Sequence, residues 1–222
     1  MVDTGAYERI SARLGSQHVT LVAVSKTKPS ADIQTLYDLG QREFGENYVQ
    51  ELVGKQAELP ADIRWHFIGH LQRNKVRFIA PFVHMIHGID SHRLLEAVDR
   101  EAGKTGRRID CLLQIHIASE ETKFGMDAQE VNDLLRTTDG GQALPNVRIR
   151  GLMGMASFSD DTERVRLEFR GLKNLFDGLK TQYFSQEPDF SVLSMGMSGD
   201  YAMAIEEGSN LVRIGSLLFG AR

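Results

Sequence analysis

A lysine at the end of a short apolar run is the residue best suited to covalent chemistry in this chain. Residues 21–29 read Leu-Val-Ala-Val-Ser-Lys-Thr-Lys-Pro, which is typical of a β-strand that ends in a turn. Side chains alternate along a strand, so Lys26 would follow Val22 and Val24 inward. Burial among valines disfavours a charged ammonium, and a neutral amine attacks aldehydes. From this segment alone, the alternative is that Lys26 and Lys28 are solvated residues at a strand end.

Two segments near the other end of the chain carry groups that could hold a phosphate. Residues 195–200 read Met-Gly-Met-Ser-Gly-Asp, which places the Ser198 hydroxyl just before a predicted helix. Arg213 is followed by Gly215 and Ser216; glycine lets backbone amides approach phosphate oxygens, and serine adds a hydroxyl donor. Each piece alone is more typical of a turn or of a helix cap.

Strand-like and helix-like segments alternate along the whole chain. The strand-like runs cover residues 19–25, 43–46, 64–69, 84–89, 110–118, 147–155, 190–195 and 211–219. The helix-like segments cover residues 6–14, 31–39, 48–57, 74–80, 92–102, 161–179 and 199–207, together with one that starts at the predicted capping box of Asp127 and Glu130.

This alternation predicts an α/β fold with a parallel sheet, and eight strands are the number that closes such a sheet into a (β/α)8 TIM-type barrel. An open doubly wound sheet is the alternative. No linker or repeat interrupts the pattern, so we expect residues 1–222 to form one domain. In such barrels phosphate groups are often held after strands seven and eight. Ser198, Gly215 and Ser216 would then lie opposite Lys26, which predicts a site for a phosphorylated aldehyde.

Composition excludes several classes of function. Charged residues make up 25% of the chain and the formal net charge is −4, which gives no basic footprint for nucleic acid. The single cysteine, Cys111, cannot form an intrachain disulfide or a CxxC metal site. No apolar run approaches a membrane span and the amino terminus does not resemble a secretion signal, so we expect a cytoplasmic protein without membrane partners.

Metal and nucleotide sites are also not expected. Among His84, His87 and His92, a spacing of three within a strand places His84 and His87 on opposite faces, and no carboxylate-rich motif lies nearby in sequence. We therefore predict no metal ligands. The chain has no GxxxxGK, no GxGxxG after the first strand and no GxSxG segment.

Six segments of the chain together resemble the pyridoxal phosphate homeostasis proteins. They are Val24-Ser25-Lys26-Thr27-Lys28-Pro29, the run 44–51 (Phe-Gly-Glu-Asn-Tyr-Val-Gln-Glu), the run 65–69 (Trp-His-Phe-Ile-Gly) with Leu71-Gln72 and Asn74-Lys75, the run 150–153 (Arg-Gly-Leu-Met), Gly196-Met197-Ser198, and Val212-Arg213-Ile214-Gly215. The resemblance implies a barrel like the amino-terminal domain of alanine racemase. It also implies pyridoxal 5'-phosphate (PLP) held as an internal aldimine, a Schiff base, on Lys26.

The same resemblance implies the residues of the cofactor site. They are Lys26 for the covalent link, Ser198, Gly215 and Ser216 for the phosphate, Arg213 facing the pyridine nitrogen, and Asn47 and His66 lining the ring pocket. A permanent positive charge at Arg213 would oppose protonation of the ring nitrogen, which weakens the ring as an electron sink for carbanions. This favours cofactor carriage over demanding catalysis.

The function expected is therefore PLP binding and vitamin B6 homeostasis by a protein without strong catalytic activity of its own. PLP-dependent apo-enzymes are candidate recipients of the cofactor, and a monomer or weak dimer is expected. A small PLP-dependent amino-acid racemase is the alternative, although the chain leaves no room after strand eight for the second domain that supplies the catalytic tyrosine of alanine racemase. A cofactor-free aldolase that uses Lys26 on a sugar phosphate is a third hypothesis.

Overall fold

Eight short parallel strands close into a barrel in the computed structural model, which describes residues 2–118 and 124–220. Each strand pairs with the next along the chain, and the first pairs with the last. The strands are β1 (Thr20–Val24), β2 (Glu43–Glu46), β3 (Arg64–Phe67), β4 (Met85–Ile89), β5 (Ile109–Ile115), β6 (Val147–Gly154), β7 (Val192–Ser194) and β8 (Leu211–Ile214). The predicted (β/α)8 architecture is confirmed, and the open doubly wound alternative is excluded.

Helices connect the strands on the outside of this barrel. They are α1 (Thr4–Ser16), α2 (Ser30–Asp38), α3 (Val49–Glu58), α4 (Val76–Ile79), α5 (His92–Lys104), α6 (Ala128–Thr137), α7 (Thr162–Tyr183), α8 (Tyr201–Glu206) and α9 (Ser216–Phe219). The predicted capping box is present at α6, where the side chain of Asp127 accepts hydrogen bonds from backbone N–H groups and Glu130 caps the Asp127 N–H in return. None of the helices in the described ranges is long and apolar enough to cross a membrane.

Alternation along each strand divides the core into two layers. Leu112 packs with Met85 and Met153 in a small cluster formed by β4, β5 and β6. Its neighbours on β5, Cys111 and Leu113, belong instead to the large cluster that the outer faces of the strands form with the helices. Most apolar burial therefore lies between the sheet and the helices, which leaves room for polar groups inside the barrel.

The predicted strand over residues 211–219 is too long. β8 ends at Ile214, and the backbone N–H groups of Leu218 and Phe219 donate to the carbonyl of Gly215, which closes a helical turn, α9. Lys28 Nζ donates to the carbonyl of Phe219 at 2.9 Å and so ties α9 to the loop that follows β1. An apolar run of this length is ambiguous between strand and helix from sequence alone.

Candidate functional site

A cavity of about 600 Å³ lies where the strands of the barrel end. Its lining includes six of the seven predicted site residues, namely Lys26, Asn47, Ser198, Arg213, Gly215 and Ser216. These residues come from the ends of β1, β2, β7 and β8, so closure of the barrel brings together segments that are almost 200 positions apart in sequence. Met155, after β6, adds an apolar wall.

The residue before Lys26 is fixed by a buried ion pair on the neighbouring strand and helix. The Ser25 hydroxyl donates to Glu46 Oε1 at 2.6 Å, and Lys55 Nζ donates to the Ser25 carbonyl at 2.9 Å and to Glu46 Oε1 at 2.8 Å. Burial raises the pKa of Glu46, and its second oxygen, Oε2, is buried without a hydrogen-bond partner. Lys55 thus supports both the strand end and the carboxylate that holds it.

The residue after Lys26 is fixed in an unusual backbone conformation. Thr27 has a φ of 63°, in the left-handed region that residues with a β-branched side chain rarely adopt. Its N–H donates to Glu51 Oε2 at 2.8 Å, and Glu51 in turn pairs with Lys55 at 3.2 Å. The turn that presents Lys26 to the cavity is therefore held from both sides by groups of β2 and α3.

Lys55→Met should lower the free energy of unfolding by about 3–5 kcal/mol, because it leaves Glu46 as a buried carboxylate without its cation. Lys104→Met is the matched control, because Lys104 is itself exposed in its ion pair with Glu101. This substitution should change stability by less than about 1 kcal/mol. Chemical denaturation measures both. Equal effects of the two substitutions would contradict the supporting role of Lys55.

Asn47 brings an unsatisfied polar atom to the cavity. Its Oδ1 atom is buried and accepts no hydrogen bond, although buried polar atoms of side chains usually have a partner. Gly69 makes this position possible, since a Cβ atom there would lie 2.4 Å from the Asn47 carbonyl oxygen. A ligand in the cavity with a polar hydrogen or hydroxyl would satisfy Oδ1.

The loops after β7 and β8 meet on the opposite side of the cavity. The Gly215 N–H donates to Ser198 Oγ at 3.3 Å. A Cβ atom on Gly215 would lie 3.2 Å from the Val24 carbonyl oxygen, so a side chain would crowd the end of β1. Among the described residues, no backbone carbonyl accepts a hydrogen bond from the N–H group of Gly199 or of Ser216. Hydroxyls and free amides converge here as they do at anion sites.

Arg213 brings a buried positive charge to the floor of the cavity. Its guanidinium donates to the Ser194 carbonyl at 2.9 Å, to Ser194 Oγ at 2.6 Å and to the Gly154 carbonyl at 3.0 Å. Burial lowers the pKa of Arg213 to about 10, so the group remains charged at neutral pH. Three acceptors at fixed positions hold this charge in one orientation.

A chain of hydrogen bonds leads from Arg213 through the interior of the barrel. Ser194 Oγ lies 3.3 Å from His87 Nδ1, and His87 Nε2 lies 2.8 Å from His66 Nδ1. His66 Nε2 then lies 2.7 Å from Glu43 Oε2, at the amino end of β2. We call these five residues the interior chain.

One arrangement of protons is compatible with every contact of the interior chain. Burial holds the pKa of His87 well below its usual value, so this imidazole is neutral. Arg213 can only donate and a carboxylate can only accept. An arrangement with every donor directed toward Glu43 satisfies all the contacts, and it places the proton of His66 on Nε2.

His66 is the predicted site residue that the cavity does not include. It is 2% exposed, and both its ring nitrogens are engaged within the interior chain. Its inward direction on β3 follows from strand alternation, but alternation does not tell at which height in the barrel a ring lies. We leave His66 out of the proposed cofactor site.

Glu46, Glu51 and Lys55 support the turn around Lys26 and were not among the predicted site residues. Two signals for them were present. Glu46 and Glu51 lie within the run 44–51, and Glu51 precedes Lys55 by four positions, which is the spacing of a helical ion pair.

Comparison with known proteins agrees with this fold and identifies the family. Residues 6–222 match the family model described as the N-terminal domain of alanine racemase. The chain is 40% identical to the pyridoxal phosphate homeostasis protein of Aquifex aeolicus, over 94% of this chain and 89% of that protein. It is 39% identical to the protein of the same name from Escherichia coli, over 93% of this chain and 87% of that one.

The solved structure of PipY from Synechococcus elongatus with PLP bound superimposes with a TM-score of 0.85 at 38% identity, and the match covers 97% of this chain and 100% of PipY. Alanine racemase from Bartonella henselae, at 17% identity and a TM-score of 0.72 over 97% of this chain and 61% of the racemase, shares the fold. The chain therefore belongs to the pyridoxal phosphate homeostasis protein family, within the larger family of alanine racemase N-terminal domains.

Proposed function

We propose that this protein binds PLP on Lys26 and contributes to PLP homeostasis as a carrier without strong catalytic activity of its own. The observation that carries the proposal is the cavity. It combines the Lys26 amine on a fixed turn, the unsatisfied acceptor Asn47 Oδ1, and an anion-binding corner formed by Ser198, Gly215 and Ser216. The Lys26 amine would hold an aldehyde covalently with loss of water, and the loops after β7 and β8 would hold a phosphate on the same molecule.

The remaining residues of the cavity fit the other parts of the cofactor. Ser198, Gly215 and Ser216 would hold the phosphate through one or more hydroxyls and through backbone amides. Asn47 would give its unsatisfied Oδ1 to a polar hydrogen of the ring substituents. These roles rest on the lining of the cavity and on the contacts described above.

Arg213 is the basis for proposing carriage over catalysis. PLP supplies an electron sink for carbanion chemistry when its ring nitrogen is protonated. A guanidinium held at the cavity floor by Ser194 and Gly154 opposes that protonation electrostatically. The interior chain behind it keeps the guanidinium from turning away.

The names of the relatives support a function in PLP binding and homeostasis. The matched proteins of Aquifex aeolicus and Escherichia coli are named for PLP homeostasis, and PipY has been solved with PLP bound. We propose apo-enzymes that depend on PLP as recipients of the carried cofactor, since reversible imine formation permits both capture and release.

Spectral titration of the purified protein with PLP tests the proposal. We expect a visible absorption band to appear with one equivalent per chain, and borohydride reduction followed by peptide mass spectrometry to locate the adduct on Lys26. A protein that stays colourless with PLP but forms a reducible adduct with a sugar phosphate would support the aldolase hypothesis instead.

Incubation of the loaded protein with amino acids in deuterated water tests the racemase alternative, because sustained exchange of the α-hydrogen would contradict a carrier role.

Ser198→Ala should weaken PLP binding by about tenfold, because one hydrogen bond to a charged phosphate is lost. Binding of pyridoxal, which lacks the phosphate, should not change. Ser16→Ala is the control, since Ser16 is exposed at the end of α1, and it should leave both affinities unaltered. Equal weakening of PLP and pyridoxal binding by Ser198→Ala would place Ser198 elsewhere than at the phosphate.

A further inference from the structure

Three potential metal ligands meet at the amino end of the barrel, on the side away from the cavity. Glu43 begins β2, His66 lies on β3, and His84 immediately precedes β4. Each offers one ligand atom, and the three atoms lie within 4.8 Å of one another. The residues come from neighbouring strands, so the frame of the barrel holds them together.

The burial of this cluster separates it from an ordinary surface group of charges. His66 is 2% exposed and the side chain of Glu43 is 16% exposed, while His84 is half-buried. Two imidazoles and one carboxylate are the donor set that zinc-type ions take in proteins, with a fourth position left for water.

Contacts with neighbouring residues already orient two of the three ligands, His66 and Glu43. His66 Nδ1 is engaged by His87 at 2.8 Å, which leaves Nε2 directed at the cluster. Arg64 pairs with Glu43 Oε1 at 2.5 Å, which leaves Oε2 directed at the same point. Partners of this kind fix the ring orientation and the tautomer of metal-bound histidines.

We propose that Glu43, His66 and His84 form a binding site for one divalent transition metal ion of the zinc type. The sequence predicts no metal site among His84, His87 and His92, which are neighbours along the chain. In the structure, His92 lies on α5, where its Nε2 atom is 3.7 Å from Glu96 Oε1. The two partners of His84 in the cluster, Glu43 and His66, are contributed by β2 and β3. The ion would replace the present contact between His66 Nε2 and Glu43 Oε2.

Occupancy of this site has a consequence for the interior chain. An imidazole coordinated at Nε2 carries its proton on Nδ1, from which His66 would donate to His87 Nε2. His87 then carries its own proton on Nδ1 and donates to Ser194 Oγ. Relative to the arrangement with every donor directed toward Glu43, the direction of donation between His66 and Ser194 would then be reversed. Nitrogen chemical shifts of the His87 ring would report this reversal.

Titration of the metal-stripped, full-length protein with cobalt(II) tests the site. We expect one cobalt per chain with the strong visible bands of tetrahedral coordination, and a higher unfolding temperature when the ion is present. Glu43→Gln and His84→Asn should each lower the affinity for cobalt by at least about tenfold. His92→Asn is the matched control and should bind cobalt like the unaltered protein.

Two outcomes of the cobalt titration would contradict the proposed site. Weak binding that is the same in the unaltered protein and in His84→Asn, or that is lost in His92→Asn, would mean that cobalt binds only to surface histidines, and would overturn the proposal. Circular dichroism of the metal-free variants verifies folding. Should Glu43→Gln fail to fold, His84→Asn, whose side chain is half-buried, still decides the question.

Discussion

Lys26→Ala is expected to abolish the borohydride-trappable PLP adduct and the visible absorption band. The Lys26 amine is the group that would form the imine, and the turn that carries it is fixed by Ser25 on one side and by Thr27 on the other. Removal of the amine leaves the anion-binding corner intact, so weak, noncovalent binding of PLP should remain. Mass spectrometry of the reduced protein and absorption spectroscopy measure the two effects.

Lys28→Ala is the control for this experiment, because Lys28 lines the same cavity two positions away. We expect its adduct to remain on Lys26, while the unfolding temperature falls because the contact of Lys28 with the Phe219 carbonyl is lost. An adduct that persists in Lys26→Ala and disappears in Lys28→Ala would show that the covalent link is on Lys28, and it would contradict our assignment to Lys26.

Gly151→Ala is expected to have the largest effect on stability, more than about 4 kcal/mol, or to prevent folding. Gly151 has a φ of 150°, and a Cβ atom there would lie 1.8 Å from the Val192 carbonyl oxygen. Gly151 is paired with Val192 in the ladder between β6 and β7. The methyl group would therefore separate two strands of the closed barrel.

Gly171→Ala provides a matched control, with the same change of side chain in a permissive place. Gly171 lies on α7, where a Cβ atom would meet nothing within 4 Å. Alanine is a better helix former than glycine, so this substitution should raise stability by about 0.5–1 kcal/mol. Denaturant unfolding compares the two variants. Similar stabilities would show that the β6–β7 ladder adapts to a side chain.

The barrel and most of the candidate site could be predicted from sequence because both follow from local patterns. Eight apolar runs alternate with helical segments, and Lys26 and Ser198 each lie beside such a run. The rule that barrel sites collect at the carboxyl ends of strands then places Lys26 and Ser198 together. The structure brings them to one cavity.

The interior of the barrel could not be predicted in the same way. His66 was predicted to lie in the ring pocket, but its contacts with Glu43 and His87 depend on the heights of three strands within the barrel. The predicted end of β8 lies too late in the sequence, because the carbonyl of Gly215 closes a helical turn that an apolar run does not reveal. Sequence periodicity fixes the face of a strand, but it does not fix the stagger between strands.

Pairing of β1 with β8 also sets the order of events during synthesis. The ladder joins residues 20–23 to residues 211–214, so Lys26 emerges from the ribosome long before the groups that would surround it. A nascent chain can therefore hold neither the closed barrel nor its complete pocket. On the proposed function, PLP could be retained only after residues 211–214 have left the ribosome and paired with β1, and a variant truncated before β8 should not retain it.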